Sequence, residues 1–388
     1  MIPRDSENTL KLAAKGFPVI TLTGPLQSGK TTLVKKIFDD RPYVSFEDPD
    51  VLSMVSTDPR GFLRRYPDGA IFDEAQRCPE IFSYLQTHVD SRTKGASYIL
   101  TGSQQFGLMS GISQSLSGRS AVIELLPFSL HELNAASIKT GGLFKLMFRG
   151  LYPPLYDRRV TPSLWYSSYV MTYIERDVRK LINVRDLQTF LNFLRMCAAR
   201  TGQLLNLTSF ASDCGISHNT ARSWISVLEA SYILFLLRPY HRNYGKRLVK
   251  TPKLYFYDTG LAAHLLSVQD HDHLEIHPQR GALFESLIVS EYCKDRLNHG
   301  LRPNCYFWRD NIGNEIDLII EQGDDLIAVE IKSGATFSTD FIDGLLKWQS
   351  LTKTKKDSLM IICGVDDSFV YRDINIYSWK TISETGWK

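Results

Sequence analysis

Long apolar runs are missing from this chain of 388 residues. A membrane-spanning helix needs about 18 or more apolar residues, and the best candidate, residues 231–237, falls far short. The first residues, from Met1 to Glu7, carry acids and no apolar core, so a secretory leader is not expected there. Cysteine is scarce. The six cysteines, Cys78, Cys197, Cys214, Cys293, Cys305 and Cys363, form no C-x-x-C pair and read as ordinary thiols of a reducing cytoplasm. Net charge is also low, at +3.

That small total conceals an uneven distribution. Residues 136–255 hold 18 basic against 6 acidic side chains, whereas residues 256–388 hold 13 against 21. A basic middle beside an acidic end points to a polyanion partner for the middle alone. Hydrophobic content of 43% with 22% charged residues is that of a globular protein, and the length predicts about two to four domains.

The most informative stretch is Gly24-x-x-x-x-Gly29-Lys30-Thr31, with Pro25, Leu26, Gln27 and Ser28 between the glycines. It follows a buried-strand pattern at residues 19–22. A helical apolar pattern from Thr32 to Phe38 comes after it. In that context it reads as a phosphate-binding loop. Backbone N–H groups from Gly24 to Thr32 would face phosphate oxygens at a helix N-terminus. Lys30 would reach the β- and γ-phosphates and Thr31 would sit on Mg²⁺.

The supporting residues come in order. Residues 69–74 form an apolar strand, expected beside the loop strand, ending in Asp73-Glu74. Asp73 fits a Mg²⁺-holding acid and Glu74 a residue that polarises the attacking water. A third strand, residues 97–102, leads to Ser103, a candidate γ-phosphate sensor with Gln104 behind it. Arg119 precedes a fourth strand and could face a phosphate in cis or in trans, with a surface ion pair as its plain alternative. Alternating strands and helices predict an α/β fold with a mainly parallel sheet.

In the middle, residues 165–199 are helical in pattern; their charged run reads first as a solvated helix face, and Arg176 or Arg179 could instead reach a neighbouring subunit of a homo-oligomer as an arginine finger. Residues 206–228 have a helix-turn-helix layout. Ala211 permits close crossing, Gly215 makes the turn, and Ile216, Ala221, Trp224 and Leu228 form the seam. Ser217 would cap a second helix that faces His218, Asn219, Arg222 and Ser223 outward. Six basic residues from Arg238 to Lys253, with no acid, would form a basic wing for phosphate contact. Tyr240 and Tyr244 read as packing residues more readily than as base-stacking ones. The run Asp270-His271-Asp272-His273, with His264 and His277, reads as a solvated linker in preference to a metal site.

The end of the chain carries carboxylates: Glu285 on an amphipathic helix, Asp317 on one strand of a hairpin, and Glu330 with Lys332 on the other. Alternation puts Glu330 and Lys332 on one face. Asp317 and Glu330 could hold Mg²⁺ with Lys332 beside them, orienting water for phosphodiester attack, and Glu285 could add a ligand. This pattern resembles the PD-(D/E)xK nuclease superfamily at Asp317, Glu330 and Lys332, with Glu285 at its helix acid. Ordinary surface carboxylates on a hairpin are the competing reading.

Taken together, the motifs at residues 24–31, 71–76, 100–104, 116–119, 173–177, 254–261, 284–285, 308–310, 315–318 and 329–332 resemble the AAA-type ATPases that carry the C-terminal domain of unknown function 4143. Cys78 departs from an aliphatic position of that pattern. The resemblance implies an ATPase domain over 1–135, a helical linker over 136–200, a winged helix over 201–255 and a nuclease-like α/β domain over 256–388. It implies ATP and Mg²⁺ as cofactors. Three functions fit. The nucleotide cycle could control a nucleic-acid-binding, nuclease-like tail, license an active endonuclease, or switch a protein-interaction module.

Overall fold

A computed structural model describes residues 2–90, 98–103, 105–173, 187–240, 250–382 and 387. Its contacts divide into two units. Met1–Phe128, Ala230–Tyr232 and Lys294–Arg302 form the first; Ser129–Glu229, Ile233–Cys293 and Pro303–Lys388 form the second.

The first unit is built on five strands, β1 (Val19–Thr23), β2 (Tyr43–Ser45), β3 (Ala70–Asp73), β4 (Tyr98–Gly102) and β5 (Ser120–Glu124). All pair in parallel, in the order β2-β3-β4-β1-β5. The strand expected beside β1 is therefore one place further out, because β4 lies between β1 and β3. Strands β1, β3 and β4 are buried throughout, as helices on both faces of a parallel sheet require. Alternation divides their side chains between two cores. Phe72, Tyr98 and Leu100 pack with Phe46, Phe62 and Phe82 on one face, while Ile71 and Ile99 pack with Leu10, Leu33 and Val34 on the other.

In the second unit, helix Leu207–Asp213 is capped by Asn206, whose side chain accepts from Ser209 N–H at 3.1 Å. Gly215 takes φ +64° in the turn, a left-handed conformation that suits glycine. Ser217 Oγ then accepts from Thr220 N–H at 3.0 Å and starts helix His218–Ala230. Ala221, Trp224 and Leu228 are buried, with Trp224 edge-on to Phe190 and Phe193, while His218, Asn219, Arg222 and Ser223 are exposed. An antiparallel pair follows, β6 (Leu234–Leu237) and β7 (Lys253–Phe256). The core of the expected wing, residues 241–249, lies outside the described residues.

The acidic-histidine run is not a loop. Asp270 accepts from His273 N–H at 2.8 Å and caps a short helix, His271–Ile276. The last part of the unit is a six-stranded mixed sheet of β8 (Cys305–Arg309), β9 (Glu315–Gln322), β10 (Asp325–Lys332), β11 (Leu359–Cys363), β12 (Phe369–Tyr371) and β13 (Ile374–Ser378). The order is β12-β13-β11-β10-β9-β8, with β10, β11 and β13 parallel and the outer pairs antiparallel. Helix Asp343–Thr352 sends Trp348 edge-on to Trp308 in the core of this sheet. Tyr240 is buried in that same core, so it packs and does not stack on a base.

Candidate functional site

Two clusters of polar side chains stand out, one at the carboxyl end of the parallel sheet and one in the tail. At the first, the loop leaving β1 opens with Gly24 at φ +149°, where a Cβ would lie 2.1 Å from the Leu125 carbonyl oxygen. Only glycine allows that approach. Gln27 (φ 61°) and Gly29 (φ 95°) curl the loop into helix Lys30–Ile37. The chain here thus leaves helix N–H groups facing outward at the positive end of the helix. Lys30 is buried and folds back over the loop, donating to the carbonyls of Gly24 at 2.9 Å and Pro25 at 2.8 Å. Ser28 Oγ is buried without a partner, an orphan polar atom in a cradle shaped for phosphate.

Behind the loop, Asp73 gathers three hydroxyl donors. Thr31 Oγ1 lies 3.1 Å from each of its oxygens, Tyr43 donates at 2.7 Å, and Thr101 donates to Oδ1. Burial, with Asp73 adding to it, raises the Tyr43 phenol well above its ordinary pKa, so it stays a donor. Glu74 follows at φ 56°, a left-handed conformation that costs a non-glycine residue on the order of 1 kcal/mol. Its carboxylate accepts from the Gln76 amide and from Ser103 Oγ at 3.3 Å. Gly102 makes room for that arrangement, since a Cβ there would meet Gln76 Oε1 at 2.3 Å. The fold thus brings together Gly24 to Thr32, Asp73, Glu74 and Ser103.

Of the readings open for Arg119, the structure shows the surface ion pair and not a phosphate contact in cis. The residue stands at the amino end of β5, where its carbonyl accepts from Val19 N–H, while the loop follows the carboxyl end of β1. The strands between those ends are 5 residues long, a rise of about 13 Å. Its guanidinium is held by Asp90, Nη2 to Oδ2 at 2.9 Å. It does not reach a phosphate on its own loop. Gln104, Arg176 and Arg179 lie outside the described residues.

Four residues of this site carry no local sequence signal. Tyr43, Thr101 and Gln76 arrive through strand order and a tight turn. Arg4 is buried and donates to the carbonyls of Ser28 at 2.8 Å and Leu126 at 2.6 Å, tying the loop to the chain after β5.

The tail cluster forms where Glu285 of helix Arg280–Asn298 meets side chains of β7 and β9. Val329 pairs with Leu318, which places Glu330 next to Asp317 across the hairpin. Asp317 Oδ2 accepts from Ile331 N–H at 2.8 Å, and Lys332 Nζ lies 2.5 Å from Glu330 Oε1 and 3.8 Å from Asp317. Glu330 Oε2 is buried and makes no hydrogen bond. Burial pushes the Glu330 carboxyl up to about 8, Asp317 adding to the rise and Lys332 opposing it.

Residues outside the motif complete the cluster. Ser286 Oγ accepts from Phe256 N–H at 3.1 Å and donates to its carbonyl at 2.8 Å, holding β7 against the helix. Alternation then turns Lys253 and Tyr255 together toward Glu285, Lys253 Nζ at 2.9 Å from Oε1. Lys253 also pairs with Glu315, whose other oxygen takes Arg309 at 3.0 Å. One oxygen each of Glu285, Glu315 and Asp317 lies within 4.8 Å of the others. Burial raises the Glu285 carboxyl to about 7 against the pull of Lys253. Lys253, counted by sequence with the basic wing, is only 3% exposed, so it does not contact phosphate there. Period-2 reading of 253/255 and of 315/317 was the signal available for these residues.

A parallel sheet of order β2-β3-β4-β1-β5 with this loop and this Asp-Glu strand end defines a P-loop ATPase. Family models match in three blocks: an AAA domain at residues 16–134, the domain of unknown function DUF8612 at 140–272, and the domain of unknown function DUF4143 at 280–382. Uncharacterized proteins of Mycobacterium bovis and Mycobacterium tuberculosis are each 31% identical over 337 residues, covering 86% of this chain and 74% of theirs. Among solved structures, the Walker-type ATPase of Pyrococcus abyssi is 14% identical with a TM-score of 0.46, covering 68% of this chain and 96% of that one. The chain belongs to the family of AAA-type P-loop ATPases with a C-terminal DUF4143 domain, and it binds and hydrolyses nucleotide.

Proposed function

We propose that the nucleotide is ATP with Mg²⁺, and that its cycle controls nucleic-acid binding by the basic middle and the nuclease-like tail. Lys30 and the N–H groups of residues 24–32 bind the phosphates. Thr31 and Asp73 would hold Mg²⁺, which when bound neutralises charge on the β- and γ-oxygens. Glu74, steered by Gln76 and Ser103, orients the attacking water. The observation that carries the nucleic-acid reading is the exposed face of helix His218–Ala230, with Arg222 outward, in a segment of 18 basic and 6 acidic residues. Phosphate contacts of that kind give affinity without sequence preference.

A purified Lys30→Ala variant should bind no ATP, and Glu74→Gln should bind ATP while hydrolysing it about 100-fold or more slowly. Undiminished turnover in Lys30→Ala would sink the assignment. Gel shifts on duplex DNA should weaken steeply with salt and differ between ATP-bound Glu74→Gln and nucleotide-free protein. No salt-sensitive binding to DNA or RNA would favour a protein-interaction switch instead.

A second reading, an active nuclease licensed by ATP, is favoured by one observation. Glu330 Oε2 is buried and unpartnered beside Asp317 and Lys332, as a metal-holding carboxylate would be. In that reading Asp317 and Glu330 would hold Mg²⁺ and Glu285 a further position. Plasmid nicking lost in Asp317→Ala and Lys332→Ala would establish it.

A further inference from the structure

We propose that Lys253 is the resident cation of the tail's carboxylate cluster: its ammonium takes the place of a divalent ion among Glu285, Glu315 and Asp317, so the native tail binds no metal there. The inference rests on reading the tail as a nuclease-like fold and decides between its binding and cleaving forms. Three observations carry it.

The first is position. Lys253 Nζ reaches Glu285 Oε1 at 2.9 Å and also pairs with Glu315, two of the three residues whose oxygens converge within 4.8 Å. A Mg²⁺ ion demands carboxylate oxygens at about 2.0–2.1 Å in near-octahedral geometry. One oxygen of Glu285 and one of Glu315 already accept from the Lys253 ammonium, which takes two of the three positions.

The second is how firmly Lys253 is held. Its backbone is paired on β7 with Leu237 and bridged to Leu204, and Ser286 pins the end of the same strand to the helix that carries Glu285. The side chain lies against the Phe307 ring, 5.4 Å from its centroid, and is 3% exposed. An ammonium buried this deeply stays charged only because the carboxylates surround it, and leaving them would strip Glu285 of its one cation among the described residues.

The third is the balance of charge. Arg309 on Glu315 and Lys332 on Glu330 and Asp317 complete a set of three cations against four carboxylates. A further dication beside Lys253 and Lys332 would face two ammonium groups at close range. Glu330 Oε2 is the fully buried orphan among these carboxylate oxygens, and it lies outside the set that converges on Lys253.

The test is Mn²⁺ binding by the full chain without nucleotide, followed by calorimetry and by electron paramagnetic resonance of free Mn²⁺. Wild type and Asp317→Asn should titrate identically. Lys253→Met should gain one site, lost again in Lys253→Met with Asp317→Asn, and Mn²⁺ should raise the melting temperature of Lys253→Met but not of wild type. Mn²⁺ uptake by wild type that Asp317→Asn removes overturns the proposal. So does a folded Lys253→Met chain that gains no site. The comparison of wild type with Asp317→Asn stands even where Lys253→Met fails to fold. Failure of ATP-controlled DNA binding would appear separately, in the gel shifts with Glu74→Gln.

Discussion

At the scale of single residues, Asp73 shows how the site is assembled. Its carboxylate is held by hydroxyls from three different elements: Thr31 at a helix start, Tyr43 on β2 and Thr101 on β4. Asp73 and Glu74 were legible because an acid pair at the end of an apolar strand is a local pattern. Tyr43 and Thr101 were not, because only sheet register places them beside Asp73. Such partners fix the orientation of a metal-holding carboxylate and typically cost 10- to 100-fold in metal affinity when lost. Thr101→Val should therefore raise the Mg²⁺ concentration for half-maximal ATPase activity by about tenfold, with nucleotide affinity in the absence of Mg²⁺ unchanged. A Mg²⁺ titration of turnover beside an equilibrium binding assay in chelator checks both halves.

At the scale of elements, one buried acid organises the middle of the chain. Asp258 caps helix Thr259–Leu265 through Leu261 N–H at 2.8 Å, accepts from Leu151 N–H at 2.7 Å, and takes the Tyr166 hydroxyl at 2.6 Å. Gly150 and Gly260 approach so closely that a Cβ on Gly260 would sit 2.8 Å from Gly150 Cα. Asp258→Ala leaves the Leu151 and Leu261 N–H groups without an acceptor, each costing about 1–3 kcal/mol, while the Tyr166 hydroxyl can still donate to the Arg149 carbonyl. The substitution should lower stability in urea unfolding by about 2 kcal/mol or more, while Asp258→Asn, which keeps one acceptor oxygen, should lose less. Of the helices around this node, the one that carries Tyr166 followed from apolar periodicity. The node itself did not, since residues 151, 166 and 258 are distant in sequence. Arg119 takes its ion-pair reading: it precedes β5, and in a parallel sheet the residue before a strand lies at the end away from the loop.

At the scale of the whole molecule, two buried carboxyls make stability depend on pH. Glu285 is raised from 4.5 to about 7 and Glu330 from 4.5 to about 8. Between about 4.5 and 8 the folded chain keeps protons that the unfolded chain has released, so its stability falls as pH rises through that window. The contribution is fully present below the unfolded value and lost above the folded ones. Thermal melting across that range should show the decline, and Glu330→Gln, which cannot ionise, should flatten it. A slope unchanged in Glu330→Gln would remove this residue from the linkage. Among the described residues no helix is long and apolar enough to cross a membrane.

What the sequence determined by itself was local. Gly24 to Thr31 specifies a loop because glycine conformations, a strand before and a helix after are all written in adjacent residues. Asp73-Glu74 and Glu330-x-Lys332 are likewise short-range statements about strand ends and strand faces. The tertiary structure decided which distant groups complete those motifs. It inserted β4 between β1 and β3, paired Arg119 with Asp90, and drew Lys253 out of a basic run into a nest of carboxylates. The physical reason is one. Charge, hydrogen bonding and burial act through space, and chain order records only the neighbours along it.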